Sequence, residues 1–272
     1  MVLDGHIHLV PGEGRPDELG SALHDAGVEG GVLNSRPPAS FGRHSDPMPA
    51  PARLDGLVEW TRALPRLAPF FWIDPTEPDA TDQVARAVEC DTAGFKVIPN
   101  RHAVGDPRAM ATYREIAGAG RPILFHCGIL WDGCPSSARS RPVEFEALLE
   151  VPGLRFALAH VGWPWCDELI AVYGKFQMAR RSRPDARVEM FIDTTPGTPP
   201  VYRREVLEKL FTVGYDVEDN VFFGTDGTAP GYDARWAREW IDRDRGIMAA
   251  LGLSDAAADK VFAGNLKRFL AR

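Results

Sequence analysis

The sequence has few cysteines and no arrangement of them that suggests a disulfide framework. Cys90, Cys127, Cys134 and Cys166 are the only four, and none forms a C-x-x-C pair, so thiols kept reduced in a cytoplasm are expected. Long apolar runs are also missing, since no stretch approaches the roughly 18 residues that span a bilayer. The amino terminus shows neither a basic n-region nor a small-residue cleavage site, and a soluble, cytoplasmic protein is expected. Positive charge is not in excess: the formal net charge is −7, which offers nothing to nucleic acid or an anionic membrane. No Gly-rich first turn of the dinucleotide-binding kind occurs, and no internal repeat or linker divides the chain.

What is present suits one large α/β domain over residues 1–272. Hydrophobic residues make up 44% and charged residues 25% of the chain, enough to build a substantial core with a solvated surface. Eight short β-rich runs occur, at residues 2–9, 29–35, 67–74, 94–99, 122–128, 154–162, 188–195 and 221–227. They lack strict alternation, as strands covered on both faces should. Amphipathic helical stretches separate them, and two more follow the eighth, the last starting at a Ser254 N-cap. Eight βα units predict a closed (β/α)8 TIM barrel with an extra C-terminal helix. An open doubly wound sheet is the alternative.

In such a barrel the chemistry sits at the C-terminal ends of the strands. The first run contains DGHIH, where Asp4, His6 and His8 share one face of a strand. Taken alone, this is either a hydrogen-bonded histidine pair or half a metal site. Later strand ends add Lys96, His126, His160, Asp193 and Asp226, so four of the seven histidines fall on strands near one barrel mouth. Four imidazoles and a carboxylate converging there would be costly buried polar groups unless something collected them, and a divalent cation is the simplest collector. The nitrogen and oxygen donors suit Zn²⁺ best, with Mn, Fe, Co or Ni as alternatives.

The motifs DGHIH, GFK, FHCG, AHVG and FFGTD, with the late VFAGNLKRFL, resemble those of the amidohydrolase superfamily. The likeness is greatest to its amidohydrolase-related branch, which includes aminocarboxymuconate-semialdehyde decarboxylase and dicarboxylate lactonases. The resemblance implies that His6, His8, His126 and Asp226 bind a metal. It also implies that His160 acts as an acid/base residue or holds water and substrate, and that Asp226 takes a proton from attacking water. One metal is the expectation. Two metals would require a carboxylated Lys96 with His160 as a further ligand; otherwise Lys96 is a buried amine paired with a carboxylate such as Asp226 or Asp193. Asp4 is expected to orient the first-strand histidines, Asp193 to cap the barrel end or act in the site, Cys127 to pack, and Asn265 to be structural.

The predicted loops after strands 2, 4 and 5 carry Arg36, Arg43, His44, Arg101, His102, Arg139 and Arg141. Guanidinium forks match carboxylates, so a carboxylated small-molecule substrate is expected, with Arg36, Arg101 and His102 among its contacts. Trp131, Trp163 and Tyr232 are expected to wall the pocket. The Pro-rich stretch 36–53 reads as a stiff surface loop or an active-site lid. The expected activity is hydrolysis of a lactone, amide or related bond by metal-activated water. Non-oxidative decarboxylation of an aromatic or unsaturated acid is the first alternative, and a non-catalytic binding barrel the second. A homo-oligomer is compatible with all three.

Overall fold

The computed structural model describes residues 1–41 and 48–271. Arg43 and His44 lie outside the described residues. The chain begins with β1 (Asp4–Leu9), α1 (Pro16–Ala26), β2 (Gly31–Asn34), α2 (Ala50–Ala63), β3 (Leu67–Trp72), α3 (Ala80–Glu89), β4 (Gly94–Val97) and α4 (Pro107–Gly118). It continues with β5 (Ile123–Phe125), β6 (Arg155–Leu158), α5 (Cys166–Ser182), β7 (Glu189–Asp193), α6 (Pro200–Thr212), β8 (Val221–Phe222) and β9 (Gly227–Ala229). Helices α7 (Ala234–Ala250), α8 (Asp255–Asp259) and α9 (Asn265–Leu270) finish it.

All neighbouring strands pair in parallel, in the order β8-β7-β6-β5-β4-β3-β2-β1-β9. Strand β8 opens the eighth predicted run and β9 starts at its last residue, Gly227; Gly5 N–H on β1 donates to the Phe223 C=O just after β8 at 2.9 Å, so the curled sheet meets itself. The (β/α)8 barrel expected from the sequence is the observed fold. Two local expectations need correction. The amphipathic stretch between the fifth and sixth β-rich runs forms no α-helix but a 3₁₀ segment, Pro142–Glu150, and the single C-terminal helix is split by a π-turn at Lys260–Gly264. Ser254 does cap α8, accepting the Ala257 N–H at 3.2 Å.

Strand parity decides what faces the barrel axis, because alternate side chains point to opposite sides. Val32, Phe70, Leu124, Ala157, Phe191 and Phe222 form an inner cluster, while Leu33, Phe71, Ile123, Phe125, Phe156, Met190 and Ile192 belong to the core between sheet and helices. Helix α9 plugs the N-terminal end: Phe269 lies 5.1 Å from Phe191, 5.3 Å from Phe222 and 6.1 Å from Phe70 between ring centroids. Two residues beyond Phe70, Leu124 and Phe191, the same inner parity delivers Trp72, His126 and Asp193 to the opposite end. On β4 the flanking Phe95 and Val97 pack outward, which turns Lys96 inward.

Elsewhere the frame is fastened by specific polar links. Arg203 on α6 forms a buried bidentate pair with Asp244 on α7, at 2.9 and 2.5 Å. Asn265 donates to the carbonyls of Glu218 and Val221 at 2.6 and 2.7 Å, tying α9 to β8, and so is structural as expected. Cys127 is fully buried in the outer core. No helix among the described residues is long and apolar enough to cross a membrane.

Candidate metal centre and active site

Inner parity on β1 sends His6 and His8 toward the axis, where the carboxylate of Asp226 joins them from the turn between β8 and β9. His6 Nε2 lies 3.0 Å from His8 Nε2 and 3.6 Å from Asp226 Oδ1, and His8 Nε2 is 3.4 Å from the same oxygen. Donors arranged tetrahedrally around an ion at about 2.1 Å stand about 3.4 Å apart. These three atoms therefore fit a divalent cation by spacing as well as by type. Among the described residues they are the group whose ligand atoms all fall within 4.8 Å of one another.

His126 and His160 line the same cavity without joining that trio. Their rings are 4.9 Å apart, and His160 is 5.6 Å from His6 between centroids. His126 Nε2 is buried without a hydrogen-bond partner, a state that an ordered water, an ion or a ligand relieves. Lys96 is completely buried, and its Nζ lies 3.1 Å from His6 Nε2. It forms no ion pair with Asp226 or Asp193 within 4.0 Å, although both carboxylates act on it from further away.

The surrounding groups fix how His6 presents itself. Asp193 Oδ2 lies 2.6 Å from His6 Nδ1, and Thr195 Oγ1 lies 3.1 Å from it. A proton on Nδ1, donated to the carboxylate, leaves the Nε2 lone pair for an ion. Asp193 is itself held by the amide and hydroxyl of Thr195. Asp4 works differently: it accepts the His6 backbone N–H at 3.0 Å, the Thr225 N–H at 2.9 Å, the Thr225 hydroxyl at 2.5 Å and the Tyr232 hydroxyl at 2.9 Å. Its carboxylate thus fastens β1 to the turn that carries Asp226, and touches the His6 backbone rather than an imidazole.

Local backbone geometry is unusual at the same place. His160, Val161 and Asp226 have φ of 62°, 47° and 60°, a region costly for side-chain-bearing residues, most of all a β-branched one. Two glycines allow close approach to the site histidines: a Cβ on Gly197 would fall 2.7 Å from His160 Cβ, and one on Gly224 would fall 2.9 Å from His6 Cβ.

Burial and charge set the protonation states. Burial drives His6 and His126 well below the usual imidazole range, assisted at His6 by Lys96 and at His126 by His160. Burial also lowers His8 and His160, against the pull of Asp226. For Asp226 burial acts upward, but the hydrogen bond with His8 and the closeness of His6 and His160 outweigh it and hold the carboxyl well below its usual range. Neutral imidazoles beside an ionised carboxylate are the states in which these groups bind a cation.

Above the trio opens a cavity of about 420 Å³. Leu9, Val10, Phe41, Trp72, Ile98, Ile129, Leu130 and Trp163 supply most of its wall, and Trp131 stands at the rim, 74% exposed. Of the six residues expected to contact substrate, Trp131 and Trp163 line this space and stack 6.5 Å apart. Arg36, Arg101, His102 and Tyr232 do not line it. Arg36 borders a separate small cavity, Arg101 is exposed, His102 is buried 3.9 Å from Asp74, and the Tyr232 hydroxyl is spent on Asp4. Arg139 donates to the Asn100 carbonyl and Arg141 to Glu168. Thr195, Thr225, Gly197, Gly224, Trp72 and Asp132 were not anticipated; only Trp72, two residues beyond a strand-core Phe, carried a usable parity signal. A larger groove of about 740 Å³ at the other end of the barrel, among Leu3, Arg66, Lys267 and Leu270, is lined by no histidine among the described residues.

A family model described as amidohydrolase matches residues 4–272. No curated protein sequence matches the chain. Among solved structures, the chain is similar to a 2,6-dihydroxybenzoate decarboxylase from Rhizobium, with TM-score 0.67 and 17% identity over 99% of this chain and 97% of that one. An amidohydrolase from Burkholderia multivorans with bound zinc gives TM-score 0.65 and 14% identity, covering 99% of each chain. A probable 2-pyrone-4,6-dicarboxylic acid hydrolase from Acinetobacter baumannii, with citric acid bound, gives TM-score 0.62 and 11% identity over 99% and 98%. At these identities the structural likeness establishes the fold, and the reaction has to be argued from the site.

Proposed function

The chain belongs to the amidohydrolase family, and from that premise we propose that it is a metal-dependent hydrolase of a small, flat, carboxyl-containing molecule such as a lactone or amide. The observation that carries this reading is the convergence of His6 Nε2, His8 Nε2 and Asp226 Oδ1 within 4.8 Å at the floor of an apolar cavity. His6, His8 and Asp226 would hold one divalent cation, zinc by donor type, with His126 beside them as a further ligand. A bound cation supplies a Lewis acid and an activated water.

The chain's own groups then have distinct tasks. The Asp226 side chain is 40% exposed, so its carboxylate faces the cavity while one oxygen stays near both imidazoles. Held ionised, it accepts the proton of an attacking water. His160, kept neutral by burial and lining the cavity, donates a hydrogen bond to the reacting group or returns that proton to the leaving group. Asp193 keeps His6 in one tautomer, and the apolar wall limits bulk water.

A second reading is favoured by one observation: among the described residues no arginine lines the cavity. A carboxylate set against that apolar wall is poorly solvated, which suits non-oxidative decarboxylation of an aromatic acid. Zinc-loaded protein assayed on lactones, amides and hydroxybenzoates separates the two. Acid release without gas supports hydrolysis, release of carbon dioxide supports decarboxylation, and no turnover on either panel rejects both.

A further inference from the structure

Asp132 is a charged group in the cavity that the reaction described above does not use. It follows Trp131 in the segment after β5 and is only 7% exposed, yet it lines the same space as His6, His8 and Asp226. Its Oδ1 accepts the Cys134 N–H at 2.9 Å. Among the described residues the Cys134 N–H is the hydrogen-bond partner shown for this carboxylate, and it takes part in no ion pair. A carboxylate held on a largely apolar cavity wall with one oxygen unengaged is an acceptor for an O–H or N–H that a ligand brings.

The charges around the cavity sharpen this. Beyond the histidines, Lys96, Asp132 and Asp226 are the charged lining residues among those described. Lys96 and Asp226 sit with the metal cluster, which leaves Asp132 alone on the remaining wall among Ile129, Leu130 and Trp131. A second carboxylate on the ligand would meet repulsion there, whereas an O–H or N–H would meet a free acceptor.

We propose that Asp132 is a specificity residue that accepts a hydrogen bond from a hydroxyl or amino group on the far side of a flat substrate ring. The inference rests on the reading of this cavity as the substrate site. It narrows the substrate class to hydroxylated or aminated rings with one anchoring carboxyl, and it excludes dicarboxylates.

The test is binding, read from the fluorescence of Trp72, Trp131 and Trp163, with wild type, Asp132→Ala and Asp132→Asn. The Asn variant keeps an acceptor for the Cys134 amide, and circular dichroism checks both variants for folding. Phenol and anisole are compared on metal-free protein, and benzoate, 4-hydroxybenzoate, 4-(aminomethyl)benzoate and terephthalate on zinc-loaded protein. Wild type is expected to prefer phenol to anisole, and 4-hydroxybenzoate to benzoate, by at least about fivefold. Terephthalate should bind worst. Asp132→Ala should erase these preferences, and Asp132→Asn should admit terephthalate. A stronger preference for the aminomethyl than for the hydroxy compound identifies an ammonium as the natural partner, and the reverse identifies a hydroxyl. If the metal reading fails, the carboxylates lose their anchor while the phenol preference survives. Equal rankings in wild type and Asp132→Ala, or no binding of any probe to folded wild type, overturn the proposal.

Discussion

Replacing Lys96 with methionine should make the metal-free protein more stable while impairing its site. Burial lowers this amine from an ordinary 10.5 to about 8, against the favourable charges of Asp226 and Asp193. Below pH 8 the folded protein must therefore hold an ammonium that the unfolded chain accommodates more easily, at a cost of about 3 kcal/mol. Methionine has similar length and no charge. Loss of the 3.1 Å contact with His6 Nε2 returns about 1 kcal/mol of that gain, leaving a net of about 2 kcal/mol. Because the folded value lies below the unfolded one, wild-type stability rises with pH between 8 and about 10.5, and the advantage of Lys96→Met should vanish across that window. Urea denaturation of chelator-treated proteins at pH 7 and pH 10.5 measures both quantities. A Lys96→Met protein less stable than wild type at pH 7, or a difference that ignores pH, would refute the reasoning.

Further outcomes follow from the same contacts. Asp193→Ala removes the 2.6 Å partner of His6 Nδ1 and should weaken zinc affinity roughly 10- to 100-fold in competition with a chelating dye. Gly197→Ala would press a Cβ to 2.7 Å from His160 Cβ; kcat should fall roughly 10- to 100-fold with the zinc content unchanged. Tyr232→Phe removes one of the four hydrogen bonds to Asp4 and should cost about 1 kcal/mol in urea denaturation, with KM unaltered. Phe269→Ala, which empties the barrel plug, should cost about 3–5 kcal/mol.

The barrel was legible because each βα unit announces itself locally: apolar β-rich runs at 67–74 or 188–195 need no distant partner to be read. The early end of β8 at Phe222 and the new start of β9 at Gly227 were not, since the turn between them is held by Asp4 accepting from Thr225, 221 residues away in sequence. The histidines could be gathered by strand order and parity, and the structure brings His6, His8 and Asp226 together while leaving His126 and His160 along the wall. Loop residues resisted the same treatment. Arg139 and Arg141 carry the charge expected of carboxylate ligands, but Asn100 and Glu168 already engage them, and nothing in local sequence distinguishes such an arginine from a free one. Asp132 was missed for the converse reason: an aspartate in a Gly- and Ser-containing loop reads as a turn former, and its place in the cavity comes only from tertiary packing.

The account stands most directly on metal content. Elemental analysis of zinc-reconstituted protein, after removal of loosely held ions, should find about one equivalent per chain in wild type and far less than one in folded His6→Ala and Asp226→Ala variants. Two equivalents would bring Lys96 and His160 into the ligand set. No stoichiometric ion in wild type, or equal content in wild type and both variants, would contradict the assignment of His6, His8 and Asp226 as a metal centre.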